Sequence, residues 1–288
     1  MVLRRFLLAA LVLGGCGKDD DSSPAAVEAS TEAASPIPPR PPGAPTGTQF
    51  LAMTDAYTIP AREQAILDEI SSGNLPDFLR TFVDVTAAFT DAAGAVHTIT
   101  YSVMPDYLSI GTDGDFVRIP MNPRTGQKIA DLFECSMITR KMVNDVWTQA
   151  TVKLAPIPMT PGPEMLSNAY FGAHQQKIEA ARAGKPLGAL TAGQKKDVVI
   201  SNALLAKPNS VAIYGWHQLN GVPIQPLSTV HEWTYADYSH GVRLVKRTAV
   251  VDGQPMLVTD VLKSPSLHKL LSDEGVMTSP RIPGVPVP

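Results

Sequence analysis

From residue 50 onward, apolar positions recur first at helical and then at two-residue spacing. Over 60–71 (PAREQAILDEIS), Ile66, Leu67 and Ile70 share one face, Pro60 sits in the first turn and Gly73 follows as a stop, which predicts a helix. Residues 82–89 and 97–103 read as strands. In the second, His97, Ile99, Tyr101 and Val103 share one face and Thr98, Thr100 and Ser102 the other. That alternation makes His97 a core or edge residue rather than a ligand. A hairpin is predicted across 107–119, turning at Asp113-Gly114. Helices follow over 124–133 and 139–150, the second with Thr139 as N-cap and Met142, Val143, Val146 and Trp147 as its apolar face. The proline-rich 155–163 reads as an extended crossing. A longer helix over 164–183 ends at Gly184, with His174 in a packing position one turn from Tyr170 and Ile178. Runs at 198–200, 211–214, 242–246 and 256–261 read as strands between turn signals, and a last helix is predicted over 266–274. Mixed sheet, helical middle, then antiparallel sheet predicts an α+β fold, as one domain over 50–276 with a loose tail over 277–288.

The pattern before residue 50 is different. Arg4 and Arg5 precede an apolar stretch over 6–13, and Leu13-Gly14-Gly15-Cys16 follows. This resembles the lipobox of bacterial lipoproteins, which implies a signal peptide over 1–15 and a mature chain starting at a lipid-carrying, palmitate-type acylated Cys16. Gly17 rather than aspartate after the cysteine implies delivery to the outer membrane or cell surface rather than the inner membrane. Residues 16–49 hold few large apolar side chains and many Pro, Ala, Ser and acids, the composition of a tether that cannot offset its ordering entropy. The membrane is thus an expected partner through the lipid, and peptidoglycan is the nearest abundant polymer. A net charge of −3 gives no basic face for nucleic acid. No apolar run beyond residue 15 is long enough to span a bilayer.

Candidate chemistry concentrates in 211–245, which holds three of the six histidines and two of the three tryptophans. Trp216, His217, His231 and Tyr238 are candidate substrate-binding residues, since imidazoles and amphipathic rings line polar ligand sites. The plainer alternative is an aromatic-rich sheet with satisfied histidines. With Cys16 acylated, Cys135 is the remaining thiol, a buried structural residue, an intermolecular link or a nucleophile activated by Arg140 and Lys141 in the following helical turn. Glu134-Cys135-Ser136 ahead of a helix, and His240-Gly241-Val242-Arg243-Leu244-Val245 as a histidine-led strand, resemble the papain-like cysteine peptidases and amidases of bacterial cell-wall turnover. The helix starting after Cys135, and the lack of a glycine after the Cys-Ser pair, depart from that family.

The resemblance implies a hydrolase of amide bonds in cell-wall peptides, needing no cofactor, with Cys135 as nucleophile and His240 as base. Asp237, Gln254 and Asp260 are candidates to orient the base, Asp237 foremost. A competing arrangement is a zinc site of His217, His231, Asp237 and His240, whose donors suit a metal that activates water. A third involves no catalysis: Trp216, Trp233, Tyr235 and Tyr238 as a platform for glycan or peptide.

Overall fold

The computed structural model describes residues 36–288; the predicted signal peptide, Cys16 and the tether up to residue 35 lie outside the described residues. The rest of the stretch read as tether is ordered. Ile37 is buried, Arg80 donates to the Pro38 carbonyl at 2.7 Å, and Arg40 bridges the Ala44 carbonyl and Asn74 Oδ1. A proline-rich stretch makes few backbone hydrogen bonds of its own, and arginine side chains take up the Pro38 and Pro45 carbonyls. A first helix, α1 (Gly47–Met53), starts there on a Thr46–Gln49 capping box.

Local signals then set the elements where expected. Helix α2 (Ile59–Ser71) is capped by Thr58 and buries Ile66 and Ile70. Strands β1 (Val83–Thr90) and β2 (Val96–Val103) pair antiparallel from Val83–Val103 to Thr90–Val96. The hairpin β3 (Ser109–Thr112) and β4 (Asp115–Arg118) turns at Asp113-Gly114. Helix α3 (Pro123–Leu132), strand β5 (Cys135–Met137) and helix α4 (Arg140–Gln149) follow, with Thr139 capping α4 as predicted. After β6 (Val152–Lys153) and the proline-rich crossing, α5 (Asn168–Arg182) buries Phe171, His174, Gln175 and Ile178.

Most regular elements of the C-terminal part are strands. It comprises β7 (Thr191–Ala192), β8 (Lys196–Val198), the single turn α6 (Ala203–Ala206), β9 (Ile213–His217), β10 (Pro223–Ser228), β11 (His240–Gly241), β12 (Leu244–Lys246), β13 (Thr248–Val251) and β14 (Gln254–Leu257). Two sheets matter most: a six-stranded one in the order β14-β13-β2-β12-β5 with β1 also on β2, and a four-stranded one in the order β10-β9-β8-β11. With seven helices among the described residues, the fold is α+β.

Three predictions are corrected. Residues 258–261 are not strand but the start of helix α7 (Val258–Lys263). Val258, Val261 and Leu262 recur at helical spacing and are all fully buried, so packing outweighs the strand preference of the two valines. The predicted helix over 266–274 contracts to a 3₁₀ turn over His268–Leu270, its next residue held by Thr139 donating to the Leu271 carbonyl. The tail is docked: Arg281 grips Asp131 with two bonds of 2.7 and 2.8 Å, and Ile282 is buried. Helix α3 supplies the anchor for the tail.

One extended run joins the two sheets. The chain leaves the smaller sheet at Gly241 and enters the larger at Leu244, with the Leu108 and Met104 amides bonded to the Val242 and Leu244 carbonyls. That switch sets Arg243 between the sheets, and it organises the buried polar centre.

Candidate functional site

The site grows from a short turn. Asp237 Oδ1 accepts the Ser239 amide at 2.8 Å and its hydroxyl at 2.5 Å, and the His240 amide returns to the Asp237 carbonyl. This turn delivers His240 to β11, parallel to β8 and directly opposite Lys196. The next pair is Gly241 opposite Asp197. A Cβ on Gly241 would lie 2.5 Å from the Tyr107 ring, so only glycine lets that ring approach. The Tyr107 hydroxyl then donates to Asp197 Oδ2 at 2.9 Å.

Around Asp237 the side chains run from solvent to interior. His231 is exposed and stacks on Tyr235 with ring centroids 4.1 Å apart. Tyr235 donates to Asp237 Oδ2 at 3.0 Å and meets the His240 ring edge-on. His240 is fully buried, its Nε2 3.9 Å from Asp237 Oδ2, too long for a hydrogen bond, and neither ring nitrogen has a partner. Burial pushes the His240 imidazole down to about 4 despite the pull of Asp237. Burial also opposes the Asp237 carboxylate, but His240 and the two Ser239 bonds outweigh it and hold the group below its ordinary value. At neutral pH the pair is therefore a neutral imidazole beside an anion, the state required of a general base.

Beneath lies a dense set of buried charges. Arg118, fully buried, is forked onto Asp106 and bonded to Glu179 at 2.6 Å. Arg243 donates to the Met104 and Thr191 carbonyls and stacks over Tyr107. Lys195 donates to the Tyr238 carbonyl at 2.7 Å, and burial pushes its amine down to about 7. Burial likewise pushes Asp197 up to about 7. His174 abuts the Tyr238 ring at 4.8 Å, and burial with the neighbouring Lys195 and Arg118 pushes it down to about 2 despite a hydrogen bond to the Ile157 backbone. Such perturbed groups, gathered in one place, mark candidate functional sites.

The residues singled out in the sequence separate into two groups. His231, Asp237, Tyr238 and His240 come together. Trp216 joins them 6.4 Å from the Tyr238 ring and under Lys196, its backbone in the left-handed region at φ 53°. For a bulky residue that conformation costs on the order of 1–3 kcal/mol and clusters at functional sites. His217 lies apart, bonded to Asn144 at 3.0 Å and stacked on Trp147, with burial pushing it down to about 4.

Cys135 also lies apart. It is a strand residue opposite Lys246, not a residue of a connecting loop, and its thiol faces the Phe133 carbonyl at 3.3 Å. Burial pushes that thiol up to about 12 even though Lys246 and Arg247 pull it down. Six residues of mostly extended chain, on the order of 20 Å, separate Lys246 from His240. Among the described residues no hydrogen bond, ion pair or ring contact joins Cys135 to His240. Nor is any group of three or more His, Cys, Asp or Glu side chains arranged to hold a metal ion. Cys16 lies outside the described residues.

Sequence reasoning missed Lys195, Lys196 and Asp197, and with them Asp106, Tyr107, Arg118 and Arg243; it treated His174 as packing. One signal was present. Lys195-Lys196-Asp197 leads without a break into Val198-Val199-Ile200, so charged residues enter a run that is buried on both faces.

Against known protein families, curated proteins and solved structures, the chain matches none.

Proposed function

We propose that the chain is a lipid-anchored hydrolase of the cell envelope, cleaving amide bonds of cell-wall peptides with His240 as general base. The observation that carries the reading is the Asp237–His240 pair: a buried, neutral imidazole with both nitrogens unpartnered, beside an ionised carboxylate. In this reading His240 takes a proton from water as the water oxygen bonds to the amide carbonyl carbon. It returns that proton to the nitrogen as the C–N bond breaks. Lys196, the cross-strand neighbour of His240, stabilises the oxyanion formed between those steps. Asp237 steadies the imidazolium. The lipobox-like Leu13–Cys16 segment supports the envelope location, and with it the substrate class.

The separation of Cys135 from His240 favours water over the thiol as nucleophile. The test is release of new amino termini from purified peptidoglycan fragments by the full chain. His240→Ala should lower turnover by about 10²–10⁴-fold with an unchanged fold, while Cys135→Ser stays near the parent. Unimpaired turnover by a folded His240→Ala protein would remove the reading.

A further inference from the structure

Helix α5 buries Phe171, His174 and Ile178 on one face. Its other face, through Ala169, Gly172 and Gln176, lines an open cleft of about 890 Å³, within the size range of ligand pockets. The remaining walls are α1 and the β3–β4 hairpin, and no residue from His231 to His240 lines it. Gly47 sets α1 directly on β4, where a Cβ would come within 2.5 Å of the Phe116 backbone. Asn168 ties the start of α5 to the Leu51 carbonyl at 2.8 Å. Between these anchors the small side chains of Ala52, Ala169 and Ala173 leave the space unfilled.

Charge in the cleft is one-sided. Asp55, Asp113, Asp115 and Glu179 line it, and Arg182 is the one cation among its described lining residues. Arg182 is forked onto Glu179, which also takes Arg118 at 2.6 Å, so Glu179 is neutralised. Asp113 and Asp115 accept hydrogen bonds from neutral groups, the Phe78 amide and the threonines 46 and 48, and keep their charge. Arg62 attracts Asp55 only at longer range, its own hydrogen bond going to Asn168. Three carboxylates without an ion pair thus flank α1, two at its start and one past its end, about 10 Å of helix apart.

Acids on a rim are ordinarily solvated; the floor is what marks this cleft for a ligand. Gln175 lines it and is 9% exposed. Its Oε1 accepts the Arg118 amide at 3.2 Å and Arg118 Nη1 at 3.0 Å, two donors that fix which end of the side-chain amide is oxygen. The Nε2 end is turned away from Arg118, has no partner among the described residues and is not enclosed by protein. A nearly buried side chain therefore offers two N–H donors to the cavity.

We propose that this cleft binds a basic peptide segment, with cationic side chains on Asp55 and on the Asp113–Asp115 pair and a backbone carbonyl on Gln175 Nε2. A cleft lined by one sign of charge concentrates the opposite sign. A polyamine has the charges but no acceptor for Gln175, and a neutral glycan has acceptors but no charge. Phosphates are repelled. No three of the acids are arranged to hold a metal ion among the described residues. Basic-peptide binding here does not depend on the hydrolase reading.

The experiment titrates the full chain with acetyl-Lys-Ala-Ala-Lys-amide, whose lysines lie about 10 Å apart when extended. It follows the Gln175 side-chain NH₂ resonances by NMR, assigned through Gln175→Glu, which keeps an acceptor for Arg118. The peptide should shift them saturably and bind about tenfold or more tightly than the same peptide with both lysines acetylated. Spermidine should bind more weakly than the peptide and leave the Gln175 resonances in place. Asp55→Asn combined with Asp113→Asn, both at exposed positions, should weaken the lysine peptide about tenfold and leave the acetylated one unchanged. Equal binding of the two peptides, an unchanged affinity in the double variant, or Gln175 resonances that stay in place at saturation would overturn the site. Spermidine binding as tightly as the peptide would overturn the assignment to a peptide.

Discussion

Cys135 and His240 both stand on strands of two or three residues next to lysines, and their surroundings differ in one respect. Around Cys135, in the larger sheet, the polar groups are paired: the thiol meets a carbonyl and apolar side chains close in. Around His240, in the smaller sheet, an imidazole and an indole are buried without hydrogen-bond partners and an ammonium makes one bond. A thiol can be buried at little cost, whereas an unpaired imidazole or ammonium costs several kcal/mol. Burial is common to both regions. Unsatisfied polarity belongs to only one, and it points to a ligand.

The comparison can be broken most forcefully through the ion network beneath His240. Arg118→Met leaves Asp106 without its fork and should destabilise the fold by about 3–5 kcal/mol in urea titrations. A loss near zero would mean that the buried charges are not tightly coupled to the fold.

Acid is the next lever. An unfolded histidine takes up a proton near 6.5, whereas folded His240 and His217 do so near 4 and folded His174 near 2. Between those values the unfolded chain holds more protons. The stability from neutral burial is therefore complete above about pH 6.5 and drains away as pH falls. Asp197, raised to about 7, acts in the opposite sense down to its unfolded value and cancels about one histidine. These four groups alone give a slope of about 2 kcal/mol per pH unit between pH 6 and 4.5, offset in part by the buried, raised carboxyls of Glu63 and Asp145. Stability that stays flat across that range would show that the imidazoles are not buried in their neutral form.

The smallest effect on stability sharpens the other side. Cys135→Ala should cost about 1 kcal/mol. Alkylation of Cys135 by iodoacetamide at pH 8 should run about a thousandfold below a free thiol, because a thiol raised to about 12 holds almost no thiolate there. Fast labelling in the folded protein would return Cys135 to the candidate nucleophiles.

How much of the site could be read in advance follows from how its residues are linked. His231, Asp237, Tyr238 and His240 lie within ten positions, so their clustering is visible in the sequence. Lys195 and Lys196 reach them only because β8 and β11 pair across more than forty residues, and Arg118 and Asp106 come from further still. His174 looked like packing because it lies one helical turn from Tyr170 and Ile178. It is indeed packed, but on Tyr238 and beside Lys195 rather than in an apolar core.

Taken by itself, the sequence determined what depends on neighbours a few positions apart. Thr58 and Thr139 cap α2 and α4, Asp113-Gly114 turns β3 into β4, and alternation along β1 and β2 sets which faces are buried. Only the tertiary structure decided that Val258 opens a helix, that Arg281 holds the tail to Asp131, and that Lys195 reaches the Tyr238 carbonyl beside His240's strand. Caps and turns are settled by hydrogen bonds within one turn of chain. The other outcomes depend on which surfaces remain to be covered once the sheets have formed, and that is a property of the whole fold.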